Sequence, residues 1–191
     1  MPRPKTYDQD TALDRAVELF WRKGYEATSI QDLLDAMGIQ RGSLYAAFGS
    51  KEGLFLAVLD RYGEVMVGKL LALLESRPSP KASIRAFFDA VVEQSVSGGP
   101  LRGCLVTNSA VEKGLEENAV RDKVARLLEG LEAGFRETLR RAREAGEIGG
   151  DPAATARFLC GTLQGLLVIG KIRPERPLLE DIVQTALSVL D

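Results

Sequence analysis

Histidine is absent from all 191 residues. That gap removes the commonest general base, the Ser–His and Cys–His nucleophile pairs and most zinc sites. Cysteine occurs only at Cys104 and Cys160, too few for a disulfide framework. No apolar run reaches the ~18 residues that read as a membrane span. The richest, Phe158–Gly170, is short and is interrupted by Thr162 and Gln164. The opening MPRPKTYDQD has no apolar segment of the kind a secretory leader carries. No stretch alternates like a strand for long, no repeat is present, and no glycine loop of phosphate-cradling type occurs. A cytoplasmic protein without cofactor or metal is therefore expected, and the usual routes to catalysis are closed.

Hydrophobic residues make up 45% of the chain, an ordinary share for a folded protein. The net charge of −2 and a pI near 5.4 give no overall pull towards nucleic acid. Charge is unevenly placed, however. Ala36 to Lys51 contains no acidic residue but holds Arg41 and Lys51, and Arg3 and Lys5 form a basic arm ahead of the first helix. A small positive face of this kind is compatible with DNA binding that weakens as salt rises.

Apolar residues recur at helical spacing along nearly the whole chain, so an all-α fold is expected. Leu13, Ala16, Val17 and Phe20 mark a first helix ending near Gly24. Ser50 reads as the N-cap of a long helix with Phe55, Val58, Leu59, Tyr62 and Met66 inward, running towards Glu75 before Pro78 and Pro80. Further helices are expected over Lys81–Ser97, Arg102–Glu112 and Asn118–Ala145. Another should start at Asp151-Pro152 and run to about Lys171, and a last one should cover Leu178–Leu190.

The segment Thr28–Phe55 carries the sharpest signal. Ile30, Leu33, Leu34 and Met37 form one apolar stripe, Thr28 and Gln31 fit a capping box, and Gly38 ends the helix. A second helix follows over Arg41–Phe48, with Leu44 and Phe48 on one side and Arg41, Gly42, Tyr45 and Ala46 on the other. Two short helices across a tight turn, with a polar outward face, make a helix-turn-helix fit for a major groove. Taken singly, Tyr45 and Phe48 could equally be core aromatics, and Lys51 a solvated charge at a helix start.

Thr28, Ile30, Asp32, Leu33, Gly38, Ile39, Gly42, Ser43, Leu44, Tyr45, Phe48, Ser50, Lys51, Glu52 and Leu54 together resemble the DNA-binding domain of the TetR/AcrR transcriptional regulators. The resemblance implies a helix-turn-helix domain over residues 1–53 and a larger ligand-binding and dimerisation domain over 54–191. It implies double-stranded operator DNA as a partner and a small-molecule effector. The implied DNA contacts are Thr28, Gln40, Arg41, Gly42, Ser43, Tyr45 and Lys51. Arg41, at the start of the reading helix, can be bidentate to a guanine, while Thr28, Tyr45 and Lys51 face phosphates. Gln40 departs from the family's usual Ser or Thr cap, and Ala46 and Ala47 stand where larger residues are common.

A homodimer is expected through the last two helices. Phe158, Leu159, Leu163, Leu166, Leu167, Ile169, Leu179, Ile182, Val183, Ala186, Leu187 and Leu190 are more apolar than one small domain's edge needs, and Gly161, Gly165 and Gly170 permit close approach. The alternative for these residues is an intramolecular core. Phe87, Phe88, Val91, Cys104, Asn108, Phe135 and Gln164 are the candidate effector contacts, suited to a mostly hydrophobic molecule. The Gly103-Cys104-Leu105 segment is similar to one in regulators that sense electrophiles or oxidants, where a helix N-terminus and Arg102 would favour a thiolate. A packed, inert cysteine is the competing reading, with Cys160 as partner or packing residue. A Cys104-dependent enzyme and a helical protein-interaction module are the remaining alternatives.

Overall fold

Helical periodicity becomes helix throughout the computed structural model, which describes residues 8–97, 103–113 and 118–191. The expected all-α class is observed, with no strand among those residues. The basic arm and Arg102 lie outside them.

Helices α1 (Gln9–Lys23), α2 (Ile30–Met37) and α3 (Arg41–Phe48) form the N-terminal unit, closed by the first turns of α4 (Lys51–Tyr62). Ala12, Ala16 and Phe20 of α1 meet Leu33 and Met37 of α2, Leu44 of α3, and Leu54, Phe55 and Val58 of α4 in one buried cluster. Aromatic rings fix its centre. Phe20 and Phe55 pack edge to face at 4.9 Å, and Tyr25 lies against Phe55 at 4.8 Å.

The helix starting at Ser50 continues through a π-helical turn, Gly63–Val67, into α5 (Gly68–Leu73). Sequence periodicity predicts one uninterrupted helix here. The extra residue of a π turn re-aims everything after it. Beside it Gly63 lets α8 come close, since a Cβ there would stand 2.6 Å from a Leu127 methyl.

The larger body comprises α6 (Pro80–Val96), α7 (Leu105–Lys113), α8 (Asn118–Glu144), α9 (Pro152–Ile172) and α10 (Arg176–Leu187), with a 3₁₀ turn over Ser188–Leu190. α7 begins at Leu105 rather than at Arg102. α8 packs along α9, α6 lies across α8, α9 and α10, and α7 rests on α8 and α4. Phe87, Phe88 and Phe135 are fully buried and touch ring to ring, with centroids 4.8 to 5.8 Å apart. Truncating one such ring to alanine typically costs about 3–5 kcal/mol.

α9 corrects the reading of its sequence. As a 21-residue helix it is long and apolar enough to cross a membrane. One face, Ala156, Leu159, Leu163, Leu166 and Gly170, is instead buried in the protein core.

Candidate nucleic-acid interface

The turn before α2 decides how this surface is built. Gly24 takes φ +82°, ending α1, and the chain reverses through Tyr25–Ser29. Thr28 is completely buried. Its hydroxyl donates to the Gly24 carbonyl at 2.5 Å, and its N–H to the Tyr25 carbonyl at 3.2 Å. The expected Thr28 cap is therefore corrected by one residue. Ser29 is the N-cap: its Oγ accepts from the Asp32 N–H at 3.1 Å, while Asp32 accepts from the Ser29 N–H at 2.8 Å. Thr28 is too deep to offer its side chain to a phosphate, and the exposed hydroxyl at this helix start belongs to Ser29.

Asp32 also takes an ion pair from Lys23 at 2.7 Å. The Lys23 ammonium, followed by the Ser29 hydroxyl and amide, holds the Asp32 carboxyl well below the usual carboxylate range. The charge at the start of α2 is thus fixed and neutralised within the unit.

α2 ends at Gly38, whose φ of +68° a side chain would resist. Gln40 is the N-cap of α3 but makes no capping hydrogen bond. α3 buries Leu44 and half-buries Phe48, which orients the rest. Gln40, Arg41, Gly42, Tyr45, Ala46 and Ala47 are exposed, Tyr45 by 42%, and Ser43 is half-buried. A Cβ at Gly42 would meet nothing within 4 Å. Nothing inside the chain therefore calls for a glycine there. Ser50 caps α4 by accepting from the Gly53 N–H at 2.9 Å, which brings Lys51 beside Tyr25, its ammonium 4.2 Å from the ring centroid. Of the sequence-predicted DNA residues, all but Thr28 are open or partly open along α3 and the start of α4.

Six of the seven predicted effector residues fall into two groups. Phe87, Phe88, Val91 and Phe135 lie in the closed core. Asn108 and Gln164 belong to polar pairs between α7 and α9: Lys171 Nζ donates to Asn108 Oδ1 at 3.4 Å, and the Thr107 hydroxyl donates to Gln164 Oε1. Cys104, 7% exposed, sits just before α7 with the Tyr62 hydroxyl 3.8 Å from its sulfur. Cys160 is unbonded to it and half-buried on α9, where burial and then the Glu132 charge push its thiol up to about 11. A surface groove of 360 Å³ between α6 and α10, lined by Asp89, Glu93, Arg176 and Glu180 among others, contains none of the predicted residues.

The proposed dimer list also divides. Leu159, Leu163, Leu166, Leu179, Val183, Ala186, Leu187 and Leu190 are buried within the chain, so for these the intramolecular reading holds. Phe158 and Ile169 are open, and the structure adds Val168 and Ile172 to the same side of α9.

Sequence reasoning missed Trp21, Tyr25 and Glu112. The indole N–H of Trp21 donates to the Gly103 carbonyl at 2.9 Å, and Glu112 accepts from the amides of Tyr25 and Glu26 at 2.9 and 2.7 Å. No local pattern marks such pairs.

Residues 12–58 match the family described as bacterial regulatory proteins, tetR family, and residues 80–186 match the tetracyclin repressor-like C-terminal domain. The chain is 36% identical to the uncharacterized transcriptional regulator YezE of Bacillus subtilis (strain 168) over 100% of both chains. It is 34% identical to the transcriptional repressor ComR of Escherichia coli (strain K12), over 98% of this chain and 90% of that one. Among solved structures it resembles a triple cysteine mutant of the TetR-family regulator CifR complexed with 26-base-pair operator DNA. That likeness has a TM-score of 0.89 at 36% identity, covering 99% of this chain and 100% of the other. With its helix-turn-helix, its exposed α3 face and these full-length likenesses, the chain belongs to the TetR family and is a DNA-binding transcriptional regulator.

Proposed function

We propose that the chain is a cytoplasmic homodimeric repressor that seats α3 in the major groove of its operator and leaves it when a small, mostly hydrophobic effector binds. The division falls inside α4, with residues 1–53 reading DNA and 54–191 holding the effector and the second copy. The observation that carries this reading is the outward face of α3, where Arg41, Gly42 and Tyr45 are exposed and Gly42 has open space above it. Arg41 and Gln40 would reach base edges, and Tyr45 and Lys51 phosphates. Ser43 and the start of α2, at the exposed Ser29 cap rather than the buried Thr28, complete the register.

Two copies would read half-sites about one helical turn (~34 Å) or a multiple apart. An effector that fits the released shape better would shift the population off DNA. It would enter between the Phe87, Phe88, Val91 and Phe135 cluster and the Asn108 and Gln164 pairs beside Cys104. Full-length likeness to ComR and to the DNA-complexed CifR supports repression through DNA. A salt-titrated gel shift on duplexes selected from a random pool tests the reading, with Arg41→Ala as the variant. Selective binding that weakens with salt and falls in Arg41→Ala is expected; failure to enrich any duplex at low salt defeats it.

The Tyr62–Cys104 contact favours a second mode of release. A quinone adding to the Cys104 sulfur, its conjugated C=C bond opening to an enolate that takes up the proton the thiol gives up, would push Tyr62 aside on the same helix that begins at Lys51. Cys104→Ser should then bind DNA normally but ignore quinones, and an unchanged response in that variant removes this mode.

A further inference from the structure

We propose that Glu112 is the positioning residue through which the C-terminal helical body sets operator affinity. Its carboxylate, seated on the amides of Tyr25 and Glu26, holds α2 and Lys51 in their DNA-binding placement. This rests on the reading that the α2–α3 surface binds operator DNA.

Four observations converge on the contact. Tyr25 and Glu26 lie in a reversal outside any helix, where their N–H groups need a partner. Glu112 supplies both, with N–H to carboxylate distances of 2.9 and 2.7 Å in the range of charge-assisted hydrogen bonds. Gly24 makes room for it, since a Cβ there would stand 3.1 Å from each Glu112 carboxylate oxygen. A side chain at Gly24 would thus both strain a φ of +82° and unseat the carboxylate. Beyond the other end of α7, two residues before Leu105, the Gly103 carbonyl accepts from the Trp21 indole. α7 therefore holds the N-terminal unit at two points.

What Glu112 holds is connected to the DNA surface without a gap. The Tyr25 carbonyl accepts from Thr28, whose hydroxyl donates to Gly24, so the turn moves as one piece with the Ser29 cap of α2. The Tyr25 ring lies under the Lys51 ammonium. On its far side α7 is tied to α9 through Thr107–Gln164 and Asn108–Lys171. A displacement of α7 against α9 would lift Glu112 from its seat and disturb the start of α2 and Lys51 together.

Electrostatics alone predicts the opposite result. Deleting a carboxylate beside a DNA-binding surface should tighten binding to any duplex. The test measures full-length wild type, Glu112→Ala, Glu112→Gln, Lys51→Ala and the Lys51→Ala/Glu112→Ala double variant. Each is titrated with a duplex that the wild type selects from a random pool and with an unrelated duplex of equal length. Emission of Trp21, the sole tryptophan, reports on the junction. Glu112→Ala should lose at least about fivefold in affinity for the selected duplex, within the usual range of coupling between sites, and distinctly less for the unrelated one. Its Trp21 emission should shift. Glu112→Gln, which keeps one acceptor oxygen, should recover part of the loss. The double variant should lose less than the product of the two single losses, because the residues act in series.

Unchanged affinity in Glu112→Ala, an equal change for both duplexes, or multiplicative losses would overturn the proposal. If the alanine variant does not fold, the glutamine variant decides by the same criteria. If the wild type selects no duplex, the DNA reading of the surface fails first and the proposal falls with it.

Discussion

The Lys51 ammonium stands over the ring of Tyr25, 4.2 Å from its centroid. A cation over an aromatic face is held in place without being neutralised, at a gain of about 0.5–1 kcal/mol when exposed. The ring of Tyr25 thus helps to set where the Lys51 ammonium stands. Lys51→Ala should weaken binding to selected and unrelated duplexes alike and lower the slope of log K against log salt by about 0.9, one phosphate contact. Tyr25→Leu should weaken the selected duplex while leaving the slope unchanged. Salt titration of both variants checks this, and an unaltered slope in Lys51→Ala would remove Lys51 from the contact surface.

Gly42 offers a test in which stability and binding move in opposite directions. A Cβ there meets nothing in the chain, and the backbone is helical. Gly42→Ala should therefore stabilise α3 by about 0.5–1 kcal/mol and raise the melting temperature. In the groove the added methyl would meet DNA, so affinity for the selected duplex should fall. Melting curves and gel shifts on the same preparation decide it. A variant that is more stable and binds as well as wild type would show that α3 does not approach the bases at this residue.

The box between Ser29 and Asp32 makes the start of α2 acid-sensitive. Because the Asp32 carboxyl is held below its ordinary value of 3.8, its contribution is complete above that value and is lost as pH falls through the lower folded value. Ser29→Ala should cost about 1 kcal/mol at neutral pH. Asp32→Asn should flatten the part of the acid unfolding curve that lies below pH 3.8. Acid titration followed by circular dichroism measures both, and superimposable curves for wild type and Asp32→Asn would refute the assignment.

Much of this surface was legible in the chain because helices α2 and α3 bury single apolar stripes, and Gly38 has one physical reason to be where it is. The one-residue error at the cap has a simple cause. Thr28 and Ser29 both carry a hydroxyl ahead of the stripe, and only packing shows that Thr28 turns inward to Gly24. Glu112 was invisible because its partners lie 86 and 87 residues away and are backbone amides, which leave no mark in the sequence. α9 was half legible. It is apolar on two faces, and composition cannot separate the one buried in its own chain from the one left open.

That open face yields the final prediction. Phe158, Gly161, Gly165, Val168 and Ile172 follow one another at alternating spacings of three and four, the seam along which helices pair, and all five are exposed. A Cβ at Gly161 or Gly165 would meet nothing within 4 Å, so the single chain has room for larger residues at both. Two α9 helices packed across the seam would not, because small residues are what let helix backbones come close. Gly165→Leu should accordingly fold with near-normal melting as an isolated chain, yet sediment as a monomer, whereas the wild type should sediment as a dimer. Affinity for a two-half-site duplex should fall steeply in that variant, while binding to a single half-site stays as weak as before. Sedimentation velocity at graded concentrations settles the matter. A Gly165→Leu protein that remains dimeric would place the second copy elsewhere and leave the apolar face of α9 without this explanation.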